Sequence, residues 1–265
     1  MKQKKQIIIF TDLDGSLLNK VTFRFDEIED YFRELVSKDI KIIPNSSKTE
    51  AELLDFNNLY KLNLSFITEN GSSIHGLNLI HANLPEKVSL SRPTNQIYEI
   101  YNENISSDLK KKITFISKLN IKEQQEIFGL PLDKIELALK RNNSLPIQFN
   151  GNTIEKNEFI KIMNNAGLTV QTGGRIINIC DNVNKAKAMS KTLELIKKEI
   201  DDEIVTIGVG DNQNDLDMLR QSNYACLVKN DNFDSSLINI DKLIKSNEPS
   251  PNGWADVIKT ALQKI

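Results

Sequence analysis

The chain has 265 residues, 39% of them hydrophobic and 26% charged, enough to bury a sizeable core in one large domain or two smaller ones. Its 34 basic and 36 acidic residues leave a formal net charge of -2, so no charge excess favours nucleic acid or an anionic membrane surface as a partner. The cysteines, Cys180 and Cys226, lie far apart in apolar runs. That argues against a disulfide framework, fits a reducing, cytoplasmic setting, and makes both of them expected core residues.

Met1 to Lys5 carries the charge of a signal n-region, but the apolar run behind it, Ile7-Ile8-Ile9-Phe10, ends at Asp12. It is too short for an h-region or a membrane span and reads as a buried β-strand. A helix is expected from about Asp26 to Lys38, with Ile28, Phe32, Leu35 and Val36 on one face. Ile40 to Pro44 reads as a second strand. Ser46-Ser47-Lys48-Thr49 then leads into a helix carrying Ala51, Leu53, Leu54 and Phe56, and Leu64 to Thr68 reads as a third strand before the turn signal Glu69-Asn70-Gly71. This β-α-β-α-β opening predicts a parallel, doubly wound sheet.

The rhythm changes after about Pro85. Helical segments rich in Lys, Glu and Asn run to about Asn143, broken at Gly129-Leu130-Pro131. Strands are expected at Pro146 to Phe149, Leu168 to Thr172 and Ile176 to Cys180, with a helix at Glu155 to Ala166. Such a mixture suggests a separate α+β module. The β/α rhythm returns at about Asn184 with a helix to Glu199, strands at Ile204 to Val209, Tyr224 to Val228 and Leu243-Ile244, and a closing helix at Trp254 to Leu262. The expected division is an α/β core made of residues 1–84 and 184–265, with residues 85–183 inserted as a cap.

In an open α/β sheet, ligands bind beyond the carboxyl ends of the strands. Asp12 and Asp14 follow the first strand, Ser46 and Ser47 the second, and Asp211 and Asp215 a late one, while Lys185 starts the helix before it. Paired carboxylates at a strand end raise each other's pKa unless something positive holds them, and Mg²⁺, which takes oxygen ligands and shares them with phosphate, is the candidate. Each residue type suits phosphoryl transfer. Asp12 is placed as nucleophile. Asp14 either protonates the leaving alkoxide and then activates water, or turns its backbone carbonyl to the metal. Asp12 and Asp211 would hold the ion, with Asp215 as a further or water-mediated ligand. Lys185 and Ser46 would serve the phosphate charge, and Asn214, inside the Gly210 to Asp215 loop, is a further candidate for substrate contact. A lone Asp-X-Asp is ordinarily a solvated turn, and a lone Lys before a helix is ordinarily surface charge. Four such elements in one order and each at its proper strand or helix are what a coincidence would not supply. His75 and His81 have no metal-ligand spacing and are expected on a surface hairpin. The aromatic residues read as core.

Phe10-Thr11-Asp12-Leu13-Asp14-Gly15-Ser16-Leu17-Leu18 resembles the first motif of the haloacid dehalogenase superfamily, with Ser16 where Thr is common. Ser46, Lys185, and Asp211 with Asp215 match the second, third and fourth motifs. The insertion stands where that superfamily carries a type C2 cap, which implies a Rossmann-like core with an α+β type C2 cap. A closer resemblance is to the mannosyl-3-phosphoglycerate phosphatase branch, which includes glucosyl-3-phosphoglycerate phosphatases. It rests on Asn45-Ser46-Ser47-Lys48-Thr49-Glu50-Ala51-Glu52, Glu69-Asn70-Gly71, Leu130-Pro131, Gln171-Thr172-Gly173-Gly174-Arg175 and Gly253-Trp254. The resemblance implies a Mg²⁺-dependent phosphatase that releases mannosylglycerate or glucosylglycerate, both compatible solutes. Arg175 is the natural partner for the glycerate carboxylate, since a guanidinium pairs bidentately, with Gly173 and Gly174 allowing close backbone approach. Ser47 and Lys48 either contact substrate or cap the following helix. Two departures fall in the cap: Arg141 to Pro146 lacks both acids of the branch segment, and Asn178 stands where a His is common. Another sugar-phosphate hydrolase, such as a sucrose-phosphate phosphatase, a phosphomutase, and a phosphosugar-binding regulatory protein are the rival expectations. A monomer or homodimer is expected.

Overall fold

The computed structural model describes residues 5–172, 176–234 and 238–265. The first part of the chain forms β1 (Lys5–Thr11), α1 (Glu29–Ser37), β2 (Lys41–Pro44), α2 (Glu50–Leu59), β3 (Phe66–Thr68), β4 (Ser73–His75) and β5 (Lys87–Ser89). The middle forms α3 (Thr94–Asn104), α4 (Ser107–Lys110), β6 (Ile113–Phe115), α5 (Ile121–Phe128), α6 (Leu132–Leu139), β7 (Ser144–Phe149), α7 (Thr153–Asn165), β8 (Thr169–Thr172) and β9 (Ile177–Cys180). The last part forms α8 (Lys185–Ile196), β10 (Glu203–Gly210), α9 (Leu216–Gln221), β11 (Tyr224–Leu227), β12 (Ile244–Lys245) and α10 (Asn252–Leu262). Two compact units result, residues 1–46, 63–88 and 184–265 in one and residues 47–62 and 89–183 in the other.

The first unit holds a five-stranded sheet in the order β12-β11-β10-β1-β2, every pair parallel. Strands covered on both faces read as continuous apolar runs rather than as alternation. Accordingly Ile8, Ile9, Phe10, Ile43, Ile207 and Val209 are fully buried, each contributing on the order of 1.5–3 kcal/mol of apolar burial. Trp254 of α10 packs on Phe32 of α1 at 5.8 Å between ring centroids, and Phe32 on Phe25 at 5.1 Å.

The opening segment supplies two strands to this sheet, where the sequence pattern leads one to expect three. β3 meets β2 only at a bridge between Asn45 and Ile67. Glu69, Asn70 and Gly71 follow with φ of 45°, 57° and 104°, and three successive left-handed residues reverse the chain. β3 therefore pairs antiparallel with β4. His75 is buried here, not on a surface hairpin: its ring stacks on Phe66 at 5.0 Å and its Nε2 lies 2.7 Å from Ser73 Oγ. The hydroxyls of Thr68 and Ser73 continue that chain at 2.7 Å.

The second unit holds a four-stranded antiparallel sheet, β6-β7-β9-β8. Ile97 and Tyr101 of α3 and Phe159 and Met163 of α7 pack with Ile147 and Ile179 in its core. β6 follows directly on Lys110-Lys111-Lys112, and that charge run hides it from a hydrophobicity pattern. α2, expected with the core, lies in this unit, and the chain enters the unit for the second time after Val88 rather than after the expected Leu84. Thr49 Oγ1 donates to Leu137 O at 2.8 Å, Lys134 pairs with Asp55 at 2.8 Å and Asn142 Nδ2 donates to Glu50 at 3.1 Å. Hydrogen bonds of this kind carry no periodicity and are invisible to pattern reading. No helix among the described residues is long and apolar enough to cross a membrane.

Candidate active site

The parallel sheet reverses its winding between β1 and β10, the switch point where ligands bind in such folds. Thr11 at the end of β1 is in register with Val209, and the Asp12 N–H donates to Val209 O at 2.9 Å. Asp12 is thereby level with Gly210, the last residue of β10, and Asp211 is the next residue along. Thr11 Oγ1 donates to the Asp12 carbonyl at 2.7 Å and accepts from Trp254 Nε1 at 2.9 Å. The C-terminal helix thus braces the first loop from below. Leu13 and Leu17 are fully buried and pin the loop to the core. Between them Gly15 turns at φ 88°. A Cβ there would stand 2.7 Å from Asp211 Oδ2, so the close approach of the two loops requires glycine.

Lys185, the first residue of α8, reaches into this crevice. Its Nζ donates to Asp12 Oδ1 at 2.5 Å and to Asp215 Oδ1 at 2.6 Å, and its side chain is only 1% exposed. Burial by itself would strip the proton from such an ammonium; the two carboxylates reverse that and hold Lys185 above its ordinary pKa. Asp12 is pushed up to about 7, chiefly by burial, with Lys185 opposing and Asp215 and Asp211 adding their like charge. Burial and Asp215 also raise Asp211, against Lys20.

Ser46 is fully buried. Its N–H donates to Ile67 O at 3.1 Å and its carbonyl accepts from Asn70 N at 2.9 Å. Asn45, also fully buried, donates from its backbone to Thr11 O at 2.7 Å and from Nδ2 to Lys185 O at 3.0 Å. The ends of β1 and β2 and the start of α8 are thereby tied together. Gly71 sits so close to Asn184, the N-cap of α8, that a Cβ would overlap the Asn184 carbonyl.

Asp12, Asp211 and Asp215 offer one oxygen each within 4.8 Å of one another, all buried. Three carboxylates against the charges of Lys185 and Lys20 fit a hard divalent cation, which offsets the burial and relieves the like charge that together raise Asp12. The three are not equivalent. Asp215 uses Oδ1 on Lys185 and accepts with Oδ2 from the backbone N–H groups of Asp211 at 3.0 Å and Asn212 at 3.1 Å. It is placed to fix the loop and the lysine. Asp211 Oδ2 accepts from Asn230 Nδ2 at 2.8 Å and pairs with Lys20 at 2.9 Å. Ser16 Oγ lies 3.3 Å from both Asp12 Oδ2 and Asp211 Oδ1.

Asp12, Asp14, Ser46, Lys185, Asp211, Asn214 and Asp215 all belong to the first unit. Asp14 is half-buried, with a bridge from its backbone to Leu18, and Asn214 is exposed on the turn before α9. Ser47 and Lys48 belong to the second unit, and neither caps α2: Thr49 does, in a reciprocal box with Glu52. Lys48 approaches Glu52 at 3.5 Å, and the Ser47 carbonyl accepts from Arg141 at 2.9 Å. Asn178 lies in β9 opposite Pro146 and Gln171, its Oδ1 buried without a hydrogen-bond partner. Gly173, Gly174 and Arg175 lie outside the described residues. Lys20 and Asn230 carry no signal in the sequence, being single polar residues outside any recognisable spacing, whereas Asn45 opens the Asn45 to Glu52 segment. Ser16 had one, its place in the first loop.

A buried carboxylate, a lysine bonded to it and a second pair of carboxylates, gathered at the switch point of a parallel sheet, define an enzyme of phosphate-ester chemistry. Residues 9–258 match the family model of haloacid dehalogenase-like hydrolases. The chain belongs to that family, as a phosphoric monoester hydrolase. A glucosyl-3-phosphoglycerate/mannosyl-3-phosphoglycerate phosphatase of Persephonella marina is 27% identical over 275 aligned positions, covering 98% of each chain. A mannosyl-3-phosphoglycerate phosphatase of Pyrococcus horikoshii is 27% identical over 251 positions, covering 90% of this chain and 99% of the other. In fold the chain is similar to the crystal structure of a haloacid dehalogenase-like hydrolase from Bacteroides thetaiotaomicron, with a TM-score of 0.68 at 17% identity over 97% of this chain and 100% of that one.

Proposed function

We propose that the chain hydrolyses a glycosyl-3-phosphoglycerate, mannosyl or glucosyl, to the glycosylglycerate and phosphate. The observation that carries this reading is the Lys185 ammonium held between Asp12 and Asp215 in a site closed to solvent on their side. The relatives of that activity, similar along nearly the whole chain, support the substrate class.

Lys185 holds Asp12 Oδ1 and the Ser16 hydroxyl orients Oδ2, the oxygen assigned to the attack. Asp12 Oδ2 attacks phosphorus, and the bond from phosphorus to the glycerate oxygen breaks. Asp14 gives that oxygen its proton. Asp14 then takes a proton from water as the water oxygen attacks the aspartyl phosphate, and Asp12 leaves as a carboxylate. Lys185 and the Ser46 hydroxyl serve the non-bridging oxygens, whose charge must be matched without reorganisation. Mg²⁺ would be held by Asp12 and Asp211, with the Asp14 backbone carbonyl and with Asp215 directly or through water. It would supply charge neutralisation at the phosphate. Uncatalysed phosphate monoester hydrolysis is so slow that accelerations approach ~10²¹-fold, which is why nucleophile, acid, cation and metal are all required. In the second unit Arg175 would pair with the glycerate carboxylate.

A substrate panel tests the assignment: mannosyl- and glucosyl-3-phosphoglycerate against sucrose 6-phosphate and a generic monoester, with Mg²⁺ and with chelator. Preference for the glycerate esters, lost in chelator and in Asp12→Asn, is expected. Preference for sucrose 6-phosphate would move the chain to another sugar-phosphate hydrolase, and full turnover by Asp12→Asn would end the covalent mechanism. For Arg175→Ala, an unchanged KM would remove its role.

A further inference from the structure

The first loop carries one cation more than the chemistry above employs. Lys20 Nζ lies 2.9 Å from Asp211 Oδ2. Its stem passes over Gly15, where a Cβ would overlap Lys20 Cε. The absence of a side chain at Gly15 therefore opens the path by which Lys20 reaches the carboxylate.

The two lysines at the site differ in one physical respect. Lys185 is 1% exposed and spans two buried carboxylates, so it cannot leave without stranding both charges. Lys20 is 43% exposed. Its ammonium can exchange Asp211 for water at small cost, because an exposed ammonium recovers its hydration. Asp211 does not swing away when Lys20 leaves, since Asn230 Nδ2 still donates to its Oδ2 at 2.8 Å and to its backbone carbonyl at 3.1 Å.

We infer that Lys20 is a tethered counter-ion for Asp211 that a divalent cation displaces, so that Lys20 sets how tightly the site binds its metal. This rests on the metal reading given above. The ion and the ammonium compete for one carboxylate oxygen, and the observed affinity is the intrinsic affinity reduced by the fraction of Asp211 that Lys20 holds. An ion pair with one exposed partner accounts for a factor of up to about 5. Removing a positive charge beside the ion adds to that. Lys20→Met should therefore bind the metal about 3- to 10-fold more tightly.

The test is calorimetric titration of the chelator-stripped full chain with Mg²⁺ and, separately, Mn²⁺. Four variants accompany it: Lys20→Met, Lys20→Arg, Lys229→Met and Asp211→Asn. Lys229 is the control, a half-exposed lysine of the same unit that approaches Asp231 at 3.7 Å rather than the cluster. Tighter binding by Lys20→Met is expected, with Lys20→Arg and Lys229→Met within about twofold of the parent. Metal-free Lys20→Met should also melt earlier than the metal-free parent, and the two should converge once loaded. Equal or weaker binding by Lys20→Met overturns the inference while leaving the metal site standing. So does equal tightening by Lys20→Arg, or by Lys229→Met, which would reduce the effect to general charge. A parent chain that binds no divalent ion, or an Asp211→Asn chain that binds as well as the parent, ends the metal reading and this inference with it.

Discussion

Lys185→Met keeps an unbranched stem one atom shorter and deletes the charge, and its consequences can be worked from the geometry. Lys185 Nζ stands 2.5 Å from Asp12 Oδ1 and 2.6 Å from Asp215 Oδ1, and none of the three side chains is more than 9% exposed. Breaking a buried pair costs about 3–5 kcal/mol, because the partner's charge stays buried without compensation. At about 2–4 °C per kcal/mol for a chain of this size, Tm should fall by roughly 6–20 °C. The deficit should also depend on pH. Burial pushes Asp12 up to about 7 even with Lys185 opposing, and removing Lys185 moves it further in the same direction. A carboxyl whose folded pKa exceeds its unfolded value loses stability as pH rises through the interval between the two. Parent and variant share that loss up to about 7, so the deficit between them opens at neutrality and grows above it. Thermal unfolding of chelator-treated protein, followed by the fluorescence of the single tryptophan, Trp254, measures both effects. A variant within about 1 kcal/mol of the parent above neutral pH, or a deficit that shrinks as pH rises, would refute the reasoning.

Asp14→Asn should lower kcat by about 10²- to 10⁴-fold, the usual contribution of a positioned acid–base group; steady-state kinetics with unchanged kcat would remove Asp14 from proton transfer. Gly210→Ala would place a Cβ in overlap with Asp215 Cβ. Overpacking of this kind costs about 1–3 kcal/mol, so a lower Tm together with reduced turnover is expected, and a variant equal to the parent in both would show the loop to be more yielding than its geometry. In the second unit, Asp181 accepts from Arg92 Nε at 2.8 Å and from the Arg92 backbone at 2.6 Å. Burial raises the Asp181 pKa but the bonds from Arg92 outweigh it and hold it below the ordinary value. A depressed carboxyl stabilises above its unfolded pKa and ceases to as pH falls through the folded one. Asp181→Asn should thus cost up to about 1 kcal/mol at neutral pH, discounted for exposure, and nothing in acid; a deficit that persists in acid counts against this. Burial also pushes the Cys226 thiol up to about 12, so a thiol reagent should reach it only on unfolding, and rapid labelling of the native chain would contradict its burial.

How much of this was legible in the sequence depends on what kind of physics wrote each feature. The apolar runs Ile7 to Phe10 and Ile204 to Val209 announced the two central strands, because a strand covered on both faces has no polar alternation to confuse it. The carboxylates that follow those runs were legible too: Asp12 and Asp211 each stand one residue past the end of a buried strand, on the side where such sheets bind ligands. β3 looked the same as its predecessors, yet leaves the parallel sheet, since the three left-handed residues after it reverse the chain whatever the strand itself prefers. His75 looked like a hairpin residue and is buried, because its partners Ser73 and Phe66 come from strand pairing. α2 joined the second unit through Thr49, Asp55 and Glu50, polar residues that any surface helix could carry.

Composition and spacing alone therefore determined the chemistry available to this protein: which residues stand at strand ends, and that they are the types phosphoryl transfer needs. Only the tertiary structure decided the division of labour among them. Lys185 meets Asp12 across 173 residues and Asp215 across 30, Lys20 takes Asp211, and Asp215 puts one oxygen on the lysine and the other on the loop. Those pairings join the ends of β1 and β10, the start of α8 and the first loop, elements far apart in the chain, and burial makes each charge depend on the partners it meets there; neither can be written in a local run of residues.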